Sequence, residues 1–213
     1  MDPIEKVRMI FFEPANFFKN VKNEKNYLPI LMYFFAVYIL STLVSLIFEF
    51  KDIKEDLMKS SQFASVIFIV VVIFMLLFVV LIAFAAPFIG AGISHLGIMI
   101  VGGAGKFFDT FKASTYASVL SPLYAIVLTI IGYLDPFNIN NPVWSDFLNV
   151  YTFLWIAVAI ASTIHIFYIE CTGLSQYHKI SKIRALVAIL LIPVAMIVIL
   201  MIIIILAIVL MFK

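Results

Sequence analysis

The sequence predicts an all-α integral membrane protein, a five-helix transmembrane bundle preceded by short N-terminal amphipathic interfacial helices. Three observations predict it. Hydrophobic residues make up 65% of the 213 positions and charged ones 12%, against about one half and one quarter in ordinary soluble domains. The apolar residues fall in long charge-free stretches, each sufficient to cross a hydrocarbon core of about 30 Å at about 1.5 Å per residue. The lysines and arginines sort onto one side of the bilayer when the stretches are counted as five.

Residues 1–26 read as a cytoplasmic amphipathic segment, and 27–213 as the five-span domain. Asp2-Pro3-Ile4-Glu5 has the form of a helix start, with Asp2 as N-cap, Pro3 at the first position and Glu5 completing a capping box. Ile4, Val7, Ile10 and Phe11 recur at helical spacing. A second start follows at Pro14, with Phe17, Phe18 and Val21 beside Lys19, Lys22 and Lys25. Such helices suit the membrane interface, and their apolar faces suit equally a place on the protein's own cytoplasmic surface. Acids and bases continue through Lys25 with no compact apolar core, so no cleavable signal is expected. No lipidation signal is expected either.

The first span is placed at about 27–48, and the mixed-sign run Glu49 to Lys59 reads as a solvated loop. The charge-free stretch Phe63 to Val101 would be about 58 Å long as one helix. It admits two readings: one span at about 63–89 with an extension to 101, or a hairpin turning at Pro87 to Gly92. As one span, it leaves Lys6, Arg8, Lys19, Lys22, Lys25, Lys106, Lys112, Lys179, Lys182 and Arg184 inside, with Lys51, Lys54, Lys59 and Lys213 outside. As a hairpin, it moves Lys106, Lys112, Lys179, Lys182 and Arg184 outside and the bias disappears. Five spans, with the N-terminus cytoplasmic and the C-terminus outside, follow from the positive-inside rule. The cell membrane is the expected location.

The third span is placed at about 113–134, with Pro122 as a kink site. The loop Asp135 to Pro142 lacks Lys and Arg, Asn141-Pro142 suits a helix start, and Trp144 suits an interfacial anchor. The fourth span is placed at about 144–168, with Glu170 and Gly173 marking its end and the glycine as C-cap. A basic turn holding His178, Lys179, Lys182 and Arg184 leads to the fifth span at about 185–212, which includes Pro193.

The mid-chain break Gly102-Gly103-Ala104-Gly105-Lys106 is not a phosphate loop. Position 100 is Ile where a Walker loop needs glycine, and Phe107 follows the lysine where a magnesium-ligating hydroxyl belongs. Its expected role is a turn at the cytoplasmic interface. Phe107, Phe108 and Phe111 are expected at headgroup level, with Lys106 and Lys112 facing anionic lipid. His95 and His165 are the ionisable groups within spans. With Glu170 they form a possible polar cluster, read either as a proton relay or as structural hydrogen bonding near the interface. Metal binding is a further reading of the pair, but two histidines without a third ligand at proper spacing make a weak metal case. The lone Cys171 makes no disulfide. Ala86, Gly90 and Ser94, and Ala157 with Ala161, form small-residue stripes suited to close helix packing. No catalytic constellation, cofactor motif or nucleic-acid motif emerges, so no enzyme is expected.

Three stretches together resemble the Yip1-domain family of membrane proteins. Pro14-Ala15-Asn16-Phe17-Phe18-Lys19-Asn20-Val21 resembles its proline and double-aromatic approach to the first span. Gly102 to Phe111, followed by Tyr116, Ala117 and Pro122, resembles its mid-chain glycine-rich signature and the span after it. Tyr177-His178-Lys179-Ile180-Ser181-Lys182-Ile183-Arg184-Ala185 resembles its basic turn before the last helix. On this resemblance Gly102, Gly103, Gly105, Lys106, Phe107 and Pro122 are the family-motif residues. The family implies five spans with the N-terminus inside and, in eukaryotic members, binding of prenylated Rab-type GTPases in vesicle trafficking. This chain lacks the long hydrophilic extension of those members and is more similar to compact archaeal and bacterial ones. The expected function is a membrane-organising scaffold or recruitment protein, with membrane lipids, a cytoplasmic protein partner or a second copy as partners. The alternative is a small transporter, channel or lipid-translocating protein using a path near His95, His165 and Glu170.

Overall fold

The computed structural model describes residues 1–58, 62–134 and 150–211. Eight helices run through them: α1 (Pro3–Phe12), α2 (Pro14–Asn20), α3 (Tyr27–Met58), α4 (Gln62–Ile100), α5 (Phe107–Ser118), α6 (Leu120–Leu134), α7 (Val150–His178) and α8 (Lys182–Met211). Five helical stretches among the described residues are long and apolar enough to cross a membrane, with α5 and α6 together making the third. The protein is therefore a multi-pass integral membrane protein whose apolar helices face lipid. The expected cap at Asn141-Pro142, the anchor Trp144, and Lys59 and Lys213 lie outside the described residues.

The stretch that admitted a hairpin is one helix. α4 runs unbroken for 39 residues through Pro87, so the single-span reading holds. Other boundaries moved. The charged run after residue 48 continues α3 to Met58 rather than forming a loop. The third helix begins at Phe107, six residues before the expected start. It breaks at Val119, and Pro122 lies in the first turn of α6, where its missing N–H is least costly. α7 runs past Gly173 to His178. Gly173 is no C-cap; a side chain there would meet Phe18 of α2, whose Cζ lies 2.8 Å from the Cβ position. The chain reverses instead at Lys179, at φ 57°.

α4 ends in a Schellman motif. The Gly103 N–H donates to the Ile98 carbonyl at 2.9 Å and the Gly102 N–H to that of Met99 at 3.2 Å. Gly102, at φ +81°, holds the left-handed position that glycine occupies without a Cβ penalty. At the start of α1, Asp2 is the N-cap residue, but neither its side chain nor a capping box closes the turn.

Burial is concentrated at one end of the bundle. Ile10, Phe17, Phe18 and Val21 from the N-terminal segment join Phe111, Tyr116, Ile169 and Leu174 in one core. Ile10, Phe17, Phe18 and Val21 of the N-terminal helices pack on the protein, while Ile4 and Phe12 of α1 stay exposed. Phe17 and Phe18 are fully buried, each removing apolar surface from water for about 1.5–3 kcal/mol. α8 behaves oppositely. Ala185, Ala188 and Ile189 are buried against the bundle, but from Val194 to Met211 every residue is exposed.

Candidate functional site

The capped end is held by polar side chains reaching across it. Lys112, expected to face anionic lipid, is buried at 1% exposure. Its Nζ donates to the carbonyls of Val21 at 3.2 Å, Lys22 at 2.9 Å and Glu24 at 3.2 Å. These carbonyls stand just past the end of α2, near the partial negative charge of its C-terminus, and that of Val21 also accepts the Glu24 N–H at 3.1 Å. The Phe108 and Tyr177 rings lie 5.2 and 4.7 Å from the ammonium and add cation–π attraction. The cation is thus fully paired inside protein, which is why it leaves the lipid surface. Phe111 is likewise fully buried, and Phe107 and Phe108 are partly buried and pack against the core. Lys106 remains exposed, and its backbone N–H donates to Asp109 at 3.1 Å, closing the first turn of α5.

Further ties repeat the pattern. Tyr116 donates to Glu24 at 2.6 Å, and Lys6 pairs with the same carboxylate at 3.3 Å. Tyr177 donates to the Phe18 carbonyl at 2.9 Å, Gln176 to that of Ala15 at 3.1 Å, and Tyr33 to that of Pro3 at 3.0 Å. Helices α3, α5 and α7 therefore each hold the N-terminal segment by its backbone or its carboxylate.

His95, His165 and Glu170 take separate partners. His165 meets Tyr124 at 2.7 Å and the Phe11 carbonyl at 3.2 Å, with its ring edge-on to Phe11, so it is another tie on α1. Glu170, buried in α7, accepts from Ser94 at 3.1 Å and also bonds Ser114. His95 joins Thr110 at 2.8 Å. Among the described residues no hydrogen bond or ring contact links His95 to His165.

The residue that sequence reasoning missed is His178, which looked like one more member of a basic turn. It is buried, and its Nδ1 accepts the Gly105 N–H at 3.0 Å. The neutral ring then carries its proton on Nε2, 2.9 Å from the Thr110 hydroxyl. Thr110 accepts that hydrogen bond, and its own hydroxyl can donate to His95 Nδ1 at 2.8 Å when that nitrogen is unprotonated, linking His178, Thr110 and His95. Ala104 donates to the His178 carbonyl at 3.3 Å, so the glycine-rich turn is strapped to the end of α7. A Cβ at Gly105 would overlap the His178 imidazole, a close approach that explains this glycine.

Between α3, α4, α5 and α6 lies a cavity of about 190 Å³ whose lining includes Ser114, Ser118, Ser121, Gly90, Pro87 and Pro122. Ala86 and Gly90 of the small-residue stripe face this space; an added Cβ at Gly90 would touch nothing within 4 Å. They do not provide the close packing expected of them, and Ala157 and Ala161 are exposed. The close crossing occurs instead at Gly97, where a Cβ would overlap the Ala188 carbonyl of α8. Among the described residues no group of three His, Cys, Asp or Glu side chains could hold a metal ion.

No curated protein and no solved structure matches the chain. A family model does, and its description is the Yip1 domain. It spans residues 8–206, from within α1 to within α8, and takes in α2, the glycine-rich turn with its histidine, the first four spans and most of the fifth. The chain belongs to the Yip1-domain family.

Proposed function

We propose that this protein is a non-enzymatic membrane scaffold that recruits a protein partner through its capped end, with the cap on the cytoplasmic face and the outer end of α8 directed away from it. The observation that supports this reading is the cap itself: a pre-ordered platform made from the N-terminal helices, α5 and the end of α7. Its polar side chains are spent inward on the ties described above, while Arg8, Lys19, Lys22 and Lys25 point outward beside exposed Ile4 and Phe12. The acids Asp2, Glu5 and Glu13 are exposed as well, so the rim is of mixed charge, with its lysines gathered at the end of α2 and just beyond it. Its charged groups and apolar points suit contact with a partner surface of complementary charge. The orientation rests on the lysine and arginine distribution. The bare outer half of α8 offers lipid, or a second copy, a continuous apolar surface.

A photoreactive residue at exposed Asn16, used in native membranes, tests the reading. The expected result is a protein adduct of defined mass that disappears when Lys112→Met loosens the cap. Adducts to lipid alone, or an adduct indifferent to Lys112→Met, would contradict it.

A further inference from the structure

A file of polar groups passes through the apolar bundle from its outer half to the glycine-rich turn. At the outer end the Ser45 and Thr129 hydroxyls meet at 3.3 Å, joining α3 to α6. Ser41 donates to the Pro122 carbonyl at 2.7 Å, beside the cavity carrying Ser121, Ser118 and Ser114. Ser114 belongs to both the cavity and the carboxyl of Glu170, which also holds Ser94. One turn further along α5, about 6 Å for four residues, lies Thr110 with His95 and His178. That layer ends on the N–H of Gly105 in the half-exposed turn.

Hydroxyls that bond a neighbouring helix's carbonyl are ordinary interhelical glue. A carboxyl group enclosed within a span is not, because an ionisable side chain there is expensive. The ionisable groups on the elements packed near it are His95 on α4, Asp109 and Lys112 on α5, Cys171 and His178 on α7, and Lys182 on α8. Among the described residues none of them hydrogen-bonds or ion-pairs with Glu170. Its two partners are both hydroxyls, which donate and accept alike.

We propose that this file is a transmembrane proton relay in which Glu170 is the central proton carrier. A metal cation would need a cage of several oxygen ligands, whereas Glu170 has two. A proton needs only groups able to take one bond and release another. It enters from the cavity, whose lining sets Ser114, Ser118 and Ser121 among apolar residues such as Phe34 and Pro87, and passes through Ser114 onto the Glu170 carboxylate. Turning of the Ser94 or Ser114 hydroxyl, or one water in the gap, hands it to the imidazole layer. His95 gains it on the ring nitrogen facing Thr110 and releases one from the other, while His178, whose Nδ1 accepts the Gly105 N–H, holds Thr110 in place. Only O–H and N–H bonds form and break, and the relay returns to its starting state. The inference is independent of the scaffold reading, which rests on the cap and not on the file.

The full-length protein in neutral-lipid liposomes, loaded with a pH-sensitive dye and driven by a potassium diffusion potential, provides the test. The expected proton flux is several-fold above protein-free liposomes. Glu170→Gln, which keeps an acceptor for Ser94, should return it to the protein-free rate. Thr163→Val, which removes an exposed hydroxyl bonded within its own helix, should leave it unchanged. Should Glu170→Gln fail to fold, an infrared pH titration of the unaltered protein applies, with Glu170→Asp assigning the band by its shift. A titrating buried-carboxyl band supports the relay. No flux above protein-free liposomes, full flux in a folded Glu170→Gln, or no such band would overturn it.

Discussion

Lys112→Met should release the N-terminal cap while leaving the five spans in place. The substitution keeps the length of the stem but removes the ammonium, so the carbonyls of Val21, Lys22 and Glu24 lose their donor together. A hydrogen bond to a charged group contributes about 1.5–3 kcal/mol. The three are not additive, because the freed carbonyls find water once the segment lifts. A loss of about 3 kcal/mol for cap docking is the scale expected. Opening of that size raises the undocked population more than a hundredfold, since about 1.4 kcal/mol is tenfold. Limited trypsin digestion should then cut at Lys19, Lys22 and Lys25, which are exposed already but held in a docked segment in the native protein. Equal cleavage rates in both proteins would show that Lys112 does not hold the cap.

Gly97→Val should separate α4 from α8. The added Cβ would fall on the Ala188 carbonyl, with that group's carbon at 2.7 Å, and neither atom belongs to a flexible side chain that could move aside. Overpacking a tight contact costs about 1–3 kcal/mol, and backbone against backbone belongs at the upper end. The N-terminal half of α8 is its main purchase on the protein, since no described residue from Val194 onward is buried. Disulfide trapping between cysteines introduced on the two helices should fall sharply in Gly97→Val. Gly90→Val, placed where an added Cβ touches nothing, should trap as the native protein does.

These effects separate what the sequence made legible from what it hid. Spans were legible because lipid imposes a composition and a length, and the lysine distribution alone decided that α4 is one helix. The N-terminal segment was readable as amphipathic, but an apolar face carries no mark of whether lipid or protein covers it. Lys112 between Phe111 and Ala113 has the local look of an interfacial anchor. Its real partners are carbonyls of residues 88 to 91 positions away, and a carbonyl leaves no trace in side-chain identity. His178 was concealed in the same way. It sits beside lysines in sequence, and its partners Gly105 and Thr110 are 73 and 68 positions away. The glycines around Gly102 correctly signalled a turn; that Gly105 also leaves room for an imidazole depends on α7 running to His178, ten residues past the end assigned to it from sequence.

The central claim is that residues 1–26 form a docked, protein-bound cap rather than an arm laid on lipid. Hydrogen–deuterium exchange of the purified protein in uncharged detergent, with no anionic lipid present, measures this directly. The account predicts slow exchange at the α2 amides, comparable with those of α5 beneath them. Exchange at the rate of a free peptide, slowing only when anionic lipid is added, would contradict it.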